Sequence, residues 1–401
     1  MNLYPLNIES PDDMKRICER IKTDSRALTY LIPKRKILHF FADNIDYRAA
    51  AFMKQEMLSR GGDTIVTKHV IDGKTEYSDI LIMGTPSQIK SVIQKMNAMP
   101  IWGLDELHMK LSDAFTNMNL HEWVMTSPNG HKITLSDDTK IMAIMNLTPD
   151  SFYEPSRINE NEILSRAEEF LNDGAYILDI GAESTRPGAL SVNESEELLR
   201  LIPALKILRS EFPDALISVD TYKPNVARIS VSEGADMIND VSGFEFTDGM
   251  PDVIRELRVP YVLSHTKDTP VNMAMKEDSM NDNILSELAE YFTSKLRALS
   301  ESGVERENVI IDVGLGFGKS ANENFALIRD IESMKIFGRP ILVGHSRKRF
   351  TRTDYDNDNG LAGTLAVSSL LCGRVSLLRV HDVRENNIAL RIAKLVYASR
   401  L

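Results

Sequence analysis

From about residue 138 onward the chain repeats one pattern eight times, a short apolar, β-branched run followed by an amphipathic stretch. The runs are KIMAIMN, AYILDIG, ALISVD, ADMIND, PYVLSH, NVIIDVG, RPILVG and VSLLRVHD. Between them lie stretches such as ENEILSRAEEFLND, ESEELLRLIPALKILRS and DNILSELAEYFTSKLRALSE, whose apolar residues recur at helical spacing. Strands that are apolar throughout belong to a parallel sheet buried on both faces, because the helices that return the chain also cover the sheet. Eight such units in about 260 residues predict a closed (β/α)8 TIM barrel, a fold that takes about 250 residues. An open doubly wound sheet is the other arrangement of the same units.

The preceding residues read differently. Residues 1–120 mix short strands with helices and predict a small α/β domain. Ser10 before PDDMKRICERIK has the marks of a helix start: a capping hydroxyl, an early proline and acids in the first turn. ALTYLI and KILHFF read as strands, and DYRAAAFMKQEMLSR as a helix stopped by Gly61-Gly62. In residues 121–137, HEWVMT and HKITLS flank Ser-Pro-Asn-Gly, which predicts a β-hairpin linker. Its expected role is to cover the bottom of the barrel formed by residues 138–401. Composition narrows the function: 47 Lys and Arg against 58 Asp and Glu leave a net charge of −11. A surface of that sign is unsuited to neutralising nucleic-acid phosphates. Only Cys18 and Cys372 are present, no apolar run reaches about 18 residues, and MNLYPLNIESPDD lacks the basic and apolar regions of a signal peptide. The expectation is a cytoplasmic protein with no membrane span and no disulfide framework.

In a parallel barrel the active site forms where strands run into their helices, so the residues ending each run carry the information. All eight ends are polar or charged. They contain Asn146, Glu183, Asp220, Asn239-Asp240, Ser264-His265, Asp312, the segment GHSRKRF, and Arg379 with His381 and Asp382. Any one of these could simply cap a helix; eight on one rim point to a ligand. GLGFGKS is not a phosphate-binding loop, since Val313 stands where that motif needs glycine, and GHSRK ends in Lys348 rather than the glycine of a nucleophile elbow. No thiolate zinc pattern is present. What remains is a set of hydrogen-bonding carboxylates and an amide, Asp220, Asp312 and Asn239, suited to a flat heterocycle with several N–H groups. Arg186, Lys348, Arg379 and His381 add cationic donors, three of them after strands seven and eight, where such barrels commonly hold phosphate.

The strings IMAIMNLTPDSF, LDIGAESTRPGA, SVDTYKPNVA, MINDVSG, IIDVGLGFGKS, LVGHSRKRF and LLRVHD resemble the dihydropteroate synthase family, over residues 138 to 401. The resemblance implies condensation of (7,8-dihydropterin-6-yl)methyl diphosphate with 4-aminobenzoate, in folate biosynthesis, by an SN1-like path with Mg2+. It implies a pterin pocket of Asp220, Asn239, Asp312 and Lys348, with Asp220, Asp312 and Lys348 catalytic. Diphosphate would meet Asn146, Arg186, Arg379 and His381. Aminobenzoate would meet Phe152, Thr185, Pro187, Phe317 and Lys348. Asn146 and Glu154 would hold the metal. The implied partners are these small-molecule substrates and a second copy in a homodimer, and sulfonamides are the implied inhibitors. The chain departs from the family pattern at Ala182, at the first loop SFYEPSR, at Ser264 and Thr266, and at His345. FMKQEMLSRGGDTIV with ILIMGTPSQIKSVIQKM looks like an extension carried by some synthases, with a packing, dimerisation or regulatory role expected. The competing readings are a pterin-dependent methyltransferase, which would lack the SRKRF and RVHD segments, and a noncatalytic pterin-binding homologue.

Overall fold

Each of the eight apolar runs is a strand, and together they close on themselves. A computed structural model describes residues 1, 3–8, 10–147, 153–154, 157–183, 192–267, 284–352 and 359–398, and in it the chain forms two compact units, Met1–Asn119 and Leu120–Ala398.

In the first unit, β1 (Leu38–Asp46), β2 (Asp63–Val66) and β3 (Tyr77–Gly84) make an antiparallel sheet in the order β1-β3-β2. Helices α3 (Tyr47–Ser59), α4 (Pro86–Met96) and α5 (Leu104–Asn117) bury Met53, Met57, Ile89, Val92 and Leu107 with Ile80 and Ile82 of β3. Helix α1 (Pro11–Ile21) opens with a reciprocal capping box between Ser10 and Asp13. ALTYLI departs from the expected strand. It is helical, with a 3-10 turn at Ser25–Ala27 running into α2 (Leu28–Leu31). Asp24 accepts from the Arg26 backbone N–H and starts the turn, and a local cap of this kind outweighs β propensity in so short a run.

The second unit opens with the hairpin β4 (Glu122–Thr126) and β5 (Lys132–Ser136). The barrel strand β6 (Lys140–Asn146) follows, then a two-stranded ribbon of β7 (Tyr153–Glu154) and β8 (Arg157–Ile158), then α6 (Glu160–Asn172). The remaining barrel strands are β9 (Ile177–Gly181), β10 (Leu216–Asp220), β11 (Met237–Asp240), β12 (Tyr261–Ser264), β13 (Val309–Asp312), β14 (Ile341–Gly344) and β15 (Leu377–Val380). Helices α7 (Glu194–Glu211), α8 (Pro224–Ser232), α9 (Met250–Leu257), α10 (Ile284–Glu301), α11 (Ala321–Arg329), α12 (Leu361–Leu371) and α13 (Val383–Ala398) come after β9 to β15 in turn. All eight strands pair in parallel, β6 closing against both β9 and β15. Four neighbouring pairs run level and four step by two residues, a total stagger of eight, as a TIM barrel requires.

Because side chains alternate along a strand, Ile141, Ala143 and Met145 face the helices while Met142, Ile144 and Asn146 face inward. Each strand contributes one residue to an apolar floor: Met142, Ile177, Leu216, Met237, Val262, Ile310, Leu342 and Leu377. Met125, Ile133 and Leu135 of the hairpin pack into that same cluster. The hairpin turn is tied to Asp236, just before β11, whose Oδ1 accepts from Ser127 Oγ at 2.8 Å and Asn129 Nδ2 at 3.1 Å. Trp123 Nε1 donates to the Gly338 carbonyl at 2.9 Å. The hairpin thus packs against the floor residues, at the end of the barrel away from the strand C-termini.

Candidate active site

Two residues up each strand from the floor, the inward positions are Ile144, Asp179, Ser218, Asn239, Ser264, Asp312, Gly344 and Arg379. One step of the period-two alternation thus turns an apolar floor into a polar wall. A further step reaches the rim, with Asn146, Gly181, Asp220 and His381. Gly181 leaves room that Asp220 needs, since a Cβ at 181 would lie 3.2 Å from the Asp220 Cβ.

Arg379 ties two acids together across the well. Its Nε donates to Asp179 Oδ2 at 2.5 Å and its Nη2 to Asp220 Oδ2 at 2.6 Å. Asn239 Nδ2 donates to the same Asp179 oxygen at 3.1 Å. Asp312 accepts from the Gly314 N–H at 2.9 Å, and its second oxygen faces Ser264 Oγ at 3.4 Å. Asp179 Oδ1, Ser218 Oγ and Asn239 Oδ1, on three adjacent strands, are buried with no hydrogen-bond partner among the described residues. Unpaired buried acceptors cost about 1–3 kcal/mol each. Their cluster is chemically complementary to a ligand that brings N–H donors into the well.

The loop after β13 supplies the lysines. Gly314, Gly316 and Gly318 all take positive φ, and a Cβ at Gly316 would sit 2.7 Å from Lys348 Cδ. The alternating glycines in GLGFGKS thus let Lys348 lie across this loop. Lys348 Nζ donates to the Leu315 carbonyl and stands 3.9 Å from the centroid of the Phe317 ring. Lys319, 2 % exposed, donates to the Gly314 carbonyl at 2.8 Å and the His265 carbonyl at 3.3 Å.

These charges strain against burial. Burial pushes the Asp220 carboxyl up to about 7, against Arg379 and with the help of Asp179. Asp312 is raised by burial too, opposed by the Gly314 N–H and by Lys348 and Lys319. Burial takes Lys348 down to about 8 and Lys319 down to about 7, while Asp312 pulls both back up. For Arg379 burial acts against the charge, but Asp179 and Asp220 overcome it and raise the pKa.

A buried lysine with a depressed pKa gives a signed prediction. Its stabilising contribution is whole above the pKa of an unfolded lysine, near 10.4, and is lost as pH falls toward 7. The stability of the wild type relative to Lys319→Met should therefore fall by about 1 kcal/mol per pH unit between pH 10 and 7 and then level off. Urea unfolding across that range measures it. A flat difference would show that Lys319 titrates like a surface lysine.

At the rim, Asn146 and His381 line one cleft. The His381 N–H and Nδ1 both meet Ser346 Oγ, at 3.2 and 3.0 Å. His345, the departure from the family pattern, is fully buried, and its Nε2 bridges the Thr364 carbonyl at 3.1 Å and Ser368 Oγ at 2.8 Å on α12.

Of the residues expected from sequence, Asp220, Asn239, Asp312, Lys348, Phe317 and Arg379 line the well or its loops, and Asn146 and His381 stand at the rim. Arg379, expected on the anion side, is turned to the two acids instead. Phe152, Thr185, Arg186 and Pro187 lie outside the described residues, as does the Glu154 side chain. Asp179, Ser218 and Lys319 were not expected. Asp179 sits inside the run AYILDIG, where a charge in a buried strand was itself the signal.

The pterin binding enzyme family model matches residues 142–381, more than half of the chain. A probable bifunctional folylpolyglutamate synthase/dihydropteroate synthase of Halobacterium salinarum is 33% identical over 398 residues, covering 97% of this chain and 46% of that protein. A bifunctional dihydropteroate synthase/dihydropteroate reductase of Helicobacter pylori is 30% identical over 390 residues, covering 96% of this chain and 97% of that one. The dihydropteroate synthase of Xanthomonas albilineans, solved with 4-aminobenzoic acid, superposes with a TM-score of 0.60 at 35% identity, over 68% of this chain and 99% of that one. The chain spans about half the length of several curated relatives it matches. An eight-stranded barrel, a polar wall above an apolar floor and these relatives lead to one assignment: the chain belongs to the dihydropteroate synthase family of pterin-binding enzymes.

Proposed function

We propose that this protein is a dihydropteroate synthase, joining (7,8-dihydropterin-6-yl)methyl diphosphate to 4-aminobenzoate with release of diphosphate. The observation that carries the reading is the set of unpaired acceptors Asp179 Oδ1 and Asn239 Oδ1, in the same inward layer of the barrel as the Asp312 carboxylate. A pterin brings a row of N–H donors that complements them. Asp220, Asn239, Asp312 and Lys348 hold the pterin, with Asp179 as a further member. Its exocyclic methylene then points up to the rim, where Asn146, His381 and Arg186 receive the diphosphate and Phe152, Thr185, Pro187, Phe317 and Lys348 border the aminobenzoate.

No base–nucleophile pair is needed. The electron-rich dihydropterin stabilises a cation at its methylene, so the C–O bond breaks before the amine attacks. Asp312 and Asp220 stabilise the positive charge on the ring, and His381 stabilises the departing anion. Among the described residues no group of three His, Cys, Asp or Glu could cage a metal. The Asn146 side-chain oxygen at the rim suits Mg2+, which commonly takes one or two protein ligands with substrate phosphate and water; Glu154 would be the second. Bound there, Mg2+ would neutralise charge on the diphosphate.

The barrel, residues 138–401, would carry this chemistry, with residues 121–137 as its lower seal and residues 1–120 in a packing, dimerisation or regulatory role. Our placement in the cytoplasm draws on the two buried cysteines, neither in a disulfide. Among the described residues no helix is long and apolar enough to cross a membrane. A homodimer is supported by Ile388, Ile392 and Leu395 on one stripe of α13, which are exposed, as is Leu370 of α12, the helix that packs against it. Ile392→Glu should shift the protein from dimer to monomer in sedimentation, with an unchanged unfolding midpoint for the monomer; an unchanged dimer would move the interface elsewhere.

The deciding experiment supplies pterin diphosphate, Mg2+ and purified protein, with and without 4-aminobenzoate. Dihydropteroate and diphosphate should appear together, and a sulfonamide should compete with aminobenzoate. Formation of neither product would favour a noncatalytic pterin-binding role.

A further inference from the structure

The loops after β14 and β15 are joined by more than the pairing of their strands. Arg347 Nε donates to Asp382 Oδ2 at 2.8 Å and its Nη2 to Asp382 Oδ1 at 2.6 Å, a bidentate pair. The arginine side chain is 30% exposed and the aspartate 17%. One residue earlier on each loop, Ser346 meets His381. Arg347 has φ +56°, a left-handed conformation that a side-chain-bearing residue keeps only when its surroundings hold it. Its N–H donates to Thr364 Oγ1 at 2.9 Å.

Behind this pair the contacts close into a circuit. His345 Nε2 reaches Ser368 Oγ, Ser368 Oγ donates to Asn386 Oδ1 at 2.6 Å, and Asn386 Nδ2 donates to the Asp382 carbonyl at 2.7 Å. Four segments are thereby locked to one another: the loop after β14, helix α12, helix α13 and the loop after β15. The reaction above uses neither Arg347 nor Asp382. Each is covalently next to a residue that it does use, Lys348 in one loop and His381 in the other.

We infer that the Arg347–Asp382 pair is a positioning device for the diphosphate side of the site, holding the loop that carries His381 against the loop after β14 without itself touching the ligand. The fork of Arg347 meets Asp382, so the aspartate next to His381 is held from the facing loop and the backbone on either side of it is fixed. The inference rests on the proposed diphosphate site, and its test separates the two.

The probe is inorganic diphosphate with Mg2+, titrated calorimetrically into the full chain, alongside steady-state kinetics with both substrates. Wild-type binding and turnover test the site itself. Asp382→Asn keeps the shape and removes the charge; Arg347→Lys keeps the charge and removes the fork. Each should weaken diphosphate binding by about tenfold and raise the KM for the pterin diphosphate, with the KM for 4-aminobenzoate changed less than twofold. The double variant should be no worse than the weaker-binding single variant, because one contact is broken only once. Unchanged diphosphate affinity in both single variants, equal losses for both substrates, or additive losses in the double variant would overturn the proposal. If Asp382→Asn does not fold, Arg347→Lys decides by the same readings; if neither folds, the pair is a brace for the barrel and the inference falls. A wild type that binds diphosphate but forms no dihydropteroate would refute the proposed activity and leave this test standing.

Discussion

Asp312→Asn is expected to lower kcat/KM for the pterin diphosphate by about 10²- to 10³-fold. The substitution is isosteric, the side chain is 5% exposed, and the Gly314 N–H can still donate to the retained oxygen, so the fold should survive. What is lost is the negative charge that would face the ring of the proposed pterin. A hydrogen bond to a charged group is worth about 1.5–3 kcal/mol. Stabilising charge that develops at the transition state is worth about 2.7–4 kcal/mol by comparison with oxyanion holes. The larger of these sets the expected loss in turnover, and the smaller sets a weaker affinity for a pterin analogue, by about tenfold or more. Steady-state kinetics with analogue binding separates them. Near-native turnover with normal pterin affinity would mean that Asp312 does not stabilise the cation.

Arg379→Ala should be the most damaging single change to stability. Asp179 is fully buried and Asp220 is 7% exposed, and Arg379 is the fork that meets both. Without it two neighbouring carboxylates face each other in a well with low dielectric, and breaking a buried pair in this way costs about 3–5 kcal/mol. The sign with pH follows. Asp220, already raised by burial, loses in the variant the arginine that opposes that rise, so its protonated form favours the fold and stability is lost as pH rises. The deficit relative to wild type, read from thermal or urea unfolding, should shrink as pH is lowered from 8 to 5. Arg379→Lys, which keeps a charge but cannot fork, should fall between the two. A deficit independent of pH would show that packing rather than charge is lost.

The barrel was legible in the sequence because apolar runs and amphipathic stretches alternate eight times with no strand missing. The rim was legible for the same reason: the residue that ends an apolar run is easy to see. Asp220, Asp312 and Asn239 were found in this way. Asp179 escaped because it lies mid-run, two residues before the strand ends at Gly181; its charge within an apolar run marked it, and the inward-outward alternation counted from the floor places it in the wall. Arg379 was read with its neighbour His381 as an anion binder. The pairing that turns it toward Asp179 and Asp220 depends on residues 200 and 159 positions away, and no local pattern encodes contacts at that separation. ALTYLI failed on a different ground, since a single aspartate at position 24 decides between helix and strand there.

The sealed floor has a consequence for the order of events. With Met125, Ile133 and Leu135 packed against the eight floor residues, the described residues close the well on the side away from the rim. Whatever occupies the polar wall must pass the rim to arrive and must pass it again to leave. In the proposed reaction the pterin diphosphate, as the deeper ligand, would therefore enter before 4-aminobenzoate, and the joined product would leave past the same rim.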